Sequence, residues 1–354
     1  MPVPLNIWDY ERIFEETLDA GAFGYFTGGA DDEHTLRDNV AAFTRWQLRP
    51  RMLVDVSEAR PETTVLGTPV SMPLLVAPTA FQRMAHPDGE PATARAAAAA
   101  GTIMCLSTIA TATPAEVAAA APEAPRWFQL YWFKDEAVTR ALVDQAVDAG
   151  FRALVLTIDA PGTLGRRERD LRSGFTVEAP IPSFAAATGR AAGATPAEVF
   201  SLIESCLTWR DLERLRAMSD LPVLVKGVLT REDARLAADA GVDGIVVSNH
   251  GGRQLDTVPA GIDALPEVVD EVGSETEVFV DGGVRRGTDV LKALALGARA
   301  ALIGRPVLWG LAAGGEQGVR DVLEMFRREI ALAMVLAGCA GCGAITRAHV
   351  TRSQ

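Results

Sequence analysis

The 354-residue chain is poor in cysteine, has no surplus of positive charge, and contains no long apolar run. Each shortage closes off a class of protein. Four cysteines, Cys105, Cys206, Cys339 and Cys342, are too few to staple a chain of this length, so an apolar core must hold it. Cys339 and Cys342 have the C-x-x-C spacing, but no second Cys or His pair completes four metal ligands. Ordinary packing is their expected role, and no metal is expected. The net charge of -12 repels phosphate backbones and argues against nucleic acid as a partner. No apolar stretch approaches the roughly 18 residues that a membrane helix needs, so no membrane partner is expected. The opening residues lack the charged and apolar regions of a secretory signal, and the last residues are not the peroxisomal tripeptide Ser-Lys-Leu. A cytoplasmic protein is the expectation. No G-x-G-x-x-G follows a strand pattern, which leaves a Rossmann site without its phosphate turn.

What is present is a large apolar fraction, 48% of residues, with a mean hydropathy of +0.13. That supports a large buried core. Short β-rich runs ending in Gly, Pro, Asn or Asp recur at 74–77, 103–106, 126–131, 153–159, 222–227, 244–249, 277–282 and 300–304. Between and after them lie helical patterns at 89–100, 114–121, 135–149, 209–218, 231–240, 264–272, 287–297 and 317–337. Strand then helix, eight times over, predicts a (β/α)8 barrel over residues 71–338. The chain reads as one domain. Residues 1–70 form an N-terminal helical extension, with a helical stretch around Trp8 to Leu18, expected to cap the barrel bottom or an edge, and 339–354 form a tail. Residues 160–208 make a long excursion after the fourth strand, which in this fold covers the catalytic face.

In such a barrel the C-terminal strand ends face one pocket. Here they carry Pro78 and Thr79, Ser107, Gln129 and Tyr131, Thr157 and Asp159, Lys226, Ser248 and His250, Asp281 and Arg285, then Gly304 and Arg305. Charged groups at one rim are costly unless they are paired or used. His250 and Arg253 lie three residues apart, a base beside a cation, as removal of a proton from an anionic substrate requires. Gly283, Arg285, Gly304 and Arg305 sit where the fold builds phosphate sites, so a phosphorylated substrate or cofactor is implied. Lys226 with Gln129, Thr157 and Ser107 suits the pyrimidine edge of a flavin; the alternative is a Schiff-base lysine of the aldolase type.

The stretches SNHGGRQLD, DGGVRRGTDV, LVKGV, IGRP, AHPDGE and YFTGGADDE together resemble, in order, the motifs of the FMN-dependent L-2-hydroxy-acid oxidases and dehydrogenases. That is the family of glycolate oxidase, lactate oxidase and mandelate dehydrogenase. The resemblance runs nearly end to end. It implies that His250 is the base, that Asp159 stabilises its imidazolium, and that Arg253 and Arg167 clamp the substrate carboxylate. Tyr25 and Tyr131 would hydrogen-bond the carboxylate and hydroxyl oxygens. FMN would lie against Ala77, Pro78, Thr79, Ser107, Gln129, Thr157, Lys226, Ser248, Asp281, Gly283, Arg285, Gly304 and Arg305.

Three departures from the family pattern bear on substrate. The segment between Asp159 and Arg167 is one residue longer than in glycolate-oxidase-like members, so Arg166 competes with Arg167 as the clamp. Ile109 stands where glycolate oxidases carry Trp, which opens the pocket to a substrate side chain larger than hydrogen. Residues 183–208 lack the long apolar insertion of membrane-bound mandelate dehydrogenases. The expected reaction is oxidation of a lactate-like or somewhat larger L-2-hydroxy acid, with O2 reduced to H2O2. A quinone or protein acceptor, and a non-redox phosphate-binding barrel, are the alternatives. No haem domain precedes the barrel pattern, and the resemblance implies a homo-oligomer, a tetramer or octamer. His34, His86 and His349 are expected to have no catalytic part.

Overall fold

The structure is a computed structural model and describes residues 4–162, 165–189 and 195–353. Three helices, α1 (Ile7–Thr17), α2 (Ala20–Thr27) and α3 (His34–Ala41), lead into strand β1 (Trp46–Leu48) and the hairpin β2 (Thr63–Val65) and β3 (Thr68–Val70). The barrel strands follow: β4 (Leu74–Val76), β5 (Met104–Leu106), β6 (Arg126–Leu130), β7 (Ala153–Thr157), β8 (Val223–Val228), β9 (Gly244–Val247), β10 (Glu277–Asp281) and β11 (Ala300–Ile303). All eight pair in parallel and close on themselves, β11 against β4. Their sequences are apolar on both faces because helices cover the outside and side chains fill the inside.

The covering helices are α4 (Gly89–Ala99), α5 (Pro114–Ala120), α6 (Glu136–Asp148), α10 (Trp209–Arg216), α11 (Arg231–Asp239), α12 (Gly261–Val272), α13 (Gly287–Ala295) and α14 (Arg305–Ala337). Between β7 and α10, the excursion folds three short helices, α7 (Glu168–Ser173), α8 (Pro182–Thr188) and α9 (Pro196–Ser201). A final strand, β12 (Val350–Arg352), pairs antiparallel with β1. The pattern read at 317–337 is the part of α14 that follows a kink at Gly314 and Gly315, where the backbone is non-helical; a further helical segment runs from Arg305 up to that kink.

The barrel interior packs Leu75, Ile103, Trp127, Val155, Leu224, Val246, Phe279 and Leu302 into one cluster. Trp127 and Phe279 meet edge to face at 5.6 Å. Val65 and Val70 of the hairpin join this cluster, and the Leu66 N–H donates to Glu277 at the start of β10. The hairpin therefore plugs the N-terminal mouth. The helical part of the extension lies at the opposite end. There Asn39 of α3 and Asn249 exchange amide hydrogen bonds of 2.8 and 2.7 Å. A Cβ on Gly283 would fall 1.8 Å from the Asn39 carbonyl oxygen, so only glycine lets α3 lie on the rim. The extension is thus divided between the two ends of the barrel.

Candidate active site

One cavity opens at the C-terminal rim, lined by residues from every barrel strand end together with α2, α9 and the first turn of α14. It gathers Tyr25, Ile109, Tyr131, Arg167, His250 and Arg253 on one side. Along the rest lie Ala77, Pro78, Thr79, Ser107, Gln129, Thr157, Lys226, Asp281, Gly283, Arg285, Gly304 and Arg305. Asp159 and Ser248 stand behind this wall rather than in it. Ser248 Oγ accepts from Lys226 Nζ at 2.9 Å and from the His250 N–H at 3.0 Å, so it braces two lining groups.

His250 follows β9 with φ +58°, a left-handed backbone that a non-glycine residue adopts only when its surroundings impose it. Its Nδ1 lies 2.9 Å from Asp159 Oδ1. Burial would raise the Asp159 carboxyl, but the charges of His250 and Lys226 and the hydrogen bond from His250 hold it below the ordinary value. An ionised Asp159 only accepts, so Nδ1 carries the proton and Nε2 is the nitrogen left for chemistry. Asp159 lies against a register irregularity in β8 between Lys226 and Val228. Gly227 sits there at φ +119°, and a Cβ on it would come within 2.6 Å of Asp159 Cβ.

Lys226 is buried 3.4 Å from Asp281. Desolvation alone would lower its pKa, but Asp281 and Asp159 outweigh it and keep the ammonium charged beyond its usual range. A Schiff-base lysine needs the neutral amine, so this environment works against the aldolase alternative.

The arginines are held by helix α2. Arg253 Nη1 donates to the Tyr25 carbonyl at 2.6 Å, and Arg305 donates to Phe26 at 3.0 Å and Gly28 at 3.1 Å. The carbonyl end of a helix carries partial negative charge, which offsets part of the penalty of burying two cations. Burial, then the neighbouring Arg253 and Arg285, still push Arg305 down to about 9. Arg167 and Arg253 both face the ring of Tyr25, with guanidinium carbons 5.2 and 5.0 Å from its centroid. Arg166 instead is exposed and pairs with Glu168. Residues 163 and 164, inside the lengthened segment, lie outside the described residues.

Three side chains in this region went unread in the sequence. Asn39 belongs to α3, far along the chain, and no local pattern marks it. Gln254 donates to the Asp159 carbonyl at 2.9 Å and accepts from the Gly165 N–H at 2.8 Å, tying the excursion to the His250 loop. Its place four residues after His250 was a usable signal. Phe200 of α9 also lines the cavity.

Buried polar atoms test whether a flavin suits these residues. Gln129 Oε1 accepts from Ser107 Oγ and the Thr108 N–H, both at 3.2 Å, which orients the amide and leaves Nε2 without a partner. Asp281 Oδ1 and Arg285 Nε are likewise buried and unmatched. Buried polar groups are normally satisfied, so their concentration around one cavity points to a polar ligand. A fixed amide donor, a buried ammonium and two rim arginines fit the pyrimidine edge and phosphate of flavin mononucleotide.

A closed barrel with that donor set beside a His–Asp pair defines a class, the flavin-dependent oxidoreductases that take hydrogen from an anionic substrate. The chain belongs to the FMN-dependent dehydrogenase family, whose model matches residues 14–352. It is 51% identical to glycolate oxidase 1 of Zea mays over 98% of this chain and 95% of that protein. To 2-hydroxyacid oxidase 1 of Homo sapiens it is 48% identical, covering 100% of this chain and 98% of the relative. L-lactate oxidase of a Nostoc species is 50% identical, with 95% of each chain covered. A crystal structure of mandelate oxidase with (S)-2-phenylpropionate superposes with a TM-score of 0.89 at 44% identity, over 99% of both chains. The chain is an FMN-dependent enzyme of the 2-hydroxy-acid oxidase type.

Proposed function

We propose that this enzyme oxidises a lactate-like or somewhat larger L-2-hydroxy acid to the 2-oxo acid and passes the electrons to O2. The substrate loses two electrons and two protons; O2 gains both and leaves as H2O2. The observation that carries the reading is the His250–Asp159 pair set beside Arg253, Arg167, Tyr25 and Tyr131 in one cavity.

Arg253 and Arg167 hold the substrate carboxylate, two positive charges converging on one anionic group. Arg167 is favoured over Arg166 because it faces the cavity. Tyr25 and Tyr131 hydrogen-bond the substrate oxygens. Burial and the Asp159 charge push the Tyr131 hydroxyl well above its usual range, so it stays a donor. His250 Nε2 takes a proton, and Asp159 stabilises the imidazolium that results. Bound FMN supplies the two-electron acceptor. Gln129, Thr157 and Ser107 would hold its pyrimidine edge, Lys226 would face the charge gained on reduction, and Arg285, Arg305 and the amides near Gly283 and Gly304 would hold its phosphate. Ser248 serves that set from behind Lys226. Ile109 leaves room beside the reacting carbon for a side chain. The reading includes a single-domain, cytoplasmic homo-oligomer of four or eight chains. No described helix is long and apolar enough to cross a membrane.

The test is anaerobic mixing of the holoenzyme with L-lactate, glycolate and L-mandelate while the flavin's visible absorption is followed, then readmission of air with a peroxide assay. Bleaching, quickest with lactate or a larger acid, then prompt recovery with peroxide supports the proposal. Bleaching without recovery makes the enzyme a dehydrogenase with another acceptor. No bleaching with any of the acids overturns the reading.

A further inference from the structure

Arg285 lines the cavity as a half-buried cation without a carboxylate partner among the described residues. Among the described residues its guanidinium makes one hydrogen bond, from Nη1 to the Val284 carbonyl at 3.0 Å, and Nε is unmatched. Burial pushes its pKa down to about 10, with Glu11 the largest opposing charge. Two indoles take the place of a counter-ion. The guanidinium carbon lies 4.8 Å from the Trp309 ring centroid and 5.7 Å from that of Trp8, and the two rings are 6.5 Å apart. Trp309 is fully buried in α14, whereas Trp8 is 39% exposed and forms the outer side of the stack.

Trp8 is brought there by the local sequence of α1. Asn6 caps the helix in a reciprocal box with Asp9, and Ile7, Tyr10 and Phe14 bury its inner face. That packing leaves Trp8 on the flank that overlooks Arg285. A guanidinium stacked on aromatic faces keeps its charge while losing water, and its fork is aimed before any ligand arrives.

We propose that Trp8 is a cofactor-retention residue, a cover that presses Arg285 against Trp309 and sets it for the FMN phosphate. Helix α1 then acts as a strap that must yield before the cofactor leaves. The inference rests on Arg285 being a phosphate anchor. Trp8 does not touch the reacting atoms; it positions Arg285.

The test uses full-length apoprotein titrated separately with FMN and with riboflavin, which lacks the phosphate, each followed by flavin fluorescence, with FMN release timed after dilution. Trp8→Ala should weaken FMN about tenfold, chiefly through faster release, and leave riboflavin affinity unchanged. Trp8→Phe should keep most of the FMN affinity. Ile7→Ala, which loosens α1 without touching the stack, should leave the ratio of FMN to riboflavin affinity at the wild-type value. If Trp8→Ala weakens both ligands equally, or changes neither while Arg285→Met weakens FMN, the retention role is wrong and the anchor stands. If Arg285→Met leaves FMN affinity intact, the anchor assignment falls and the inference with it.

Discussion

At the scale of single residues, the site depends on which atom carries which charge. Asp159 lies below its ordinary value of 3.8, so the sign of its linkage is that of a depressed acid. Its contribution is complete above about pH 4 and disappears only as acid titrates the native carboxylate. The loss of activity in Asp159→Asn should therefore be the same from about pH 5 to pH 9. A penalty that vanishes toward either end of a kcat/KM profile would show that the carboxylate titrates there. Removing the proposed base, His250→Ala, should slow flavin reduction by about 10²- to 10⁴-fold with FMN still bound, measured by anaerobic stopped-flow absorbance. The two neighbouring arginines part company. A charged hydrogen bond contributes about 1.5–3 kcal/mol, so Arg167→Met should raise KM roughly tenfold to a hundredfold, while Arg166→Met should leave it near wild type. The reverse result would move the clamp to Arg166. Most of these residues were legible because barrel strand ends converge, so residues scattered from 77 to 305 can be read as neighbours. The Arg166 and Arg167 alternative was not legible, since adjacent residues on an irregular segment point in directions that only the fold decides.

At the scale of elements, all eight barrel strands fall where the apolar runs ended in turn residues, and each observed strand stops within a few residues of its expected end. The overrun is physical. Tyr131, Asp159 and Asn249 leave the ladder so that their side chains or backbone can serve the rim, and alternation cannot signal that departure. Bulges are equally silent in the sequence, yet the one in β8 lies directly against Asp159, the partner of His250. Gly227→Ala would add a Cβ that collides with Asp159 at a backbone angle disfavoured for alanine. It should lower kcat at least tenfold, with a modest loss of thermal stability and FMN retained. Normal turnover in that variant would mean that the bulge does not set the His250–Asp159 geometry. The three extension helices show the opposite limit. Periodicity finds α1, but nothing in residues 1–70 tells which end of the barrel its segments meet.

For the whole molecule, the barrel interior is a dry cluster plugged from below by the hairpin, while the rim holds buried cations and unmatched polar atoms. Stability and ligand binding are thus separated by height within one barrel. The lower half needs no partner. The upper half holds Arg285 and Arg305 where burial depresses both, to about 10 and about 9. A group with a depressed basic pKa penalises the fold while it stays charged, and the penalty fades only as pH rises through the native value. At neutral pH both remain charged, so the apoprotein bears the full penalty. On the proposed reading, a bound phosphate dianion would supply the missing counter-charge. FMN at about a hundred times its Kd should stabilise the native state by roughly 2.7 kcal/mol, a rise in Tm of several degrees by calorimetry. Arg285→Met removes one of these desolvated cations, so its apoprotein should melt no lower than wild-type apoprotein and gain less from the same FMN concentration. An apoprotein that melts well below wild type would mean that the Trp8–Arg285–Trp309 stack supports the fold, rather than holding a charge in readiness for the cofactor.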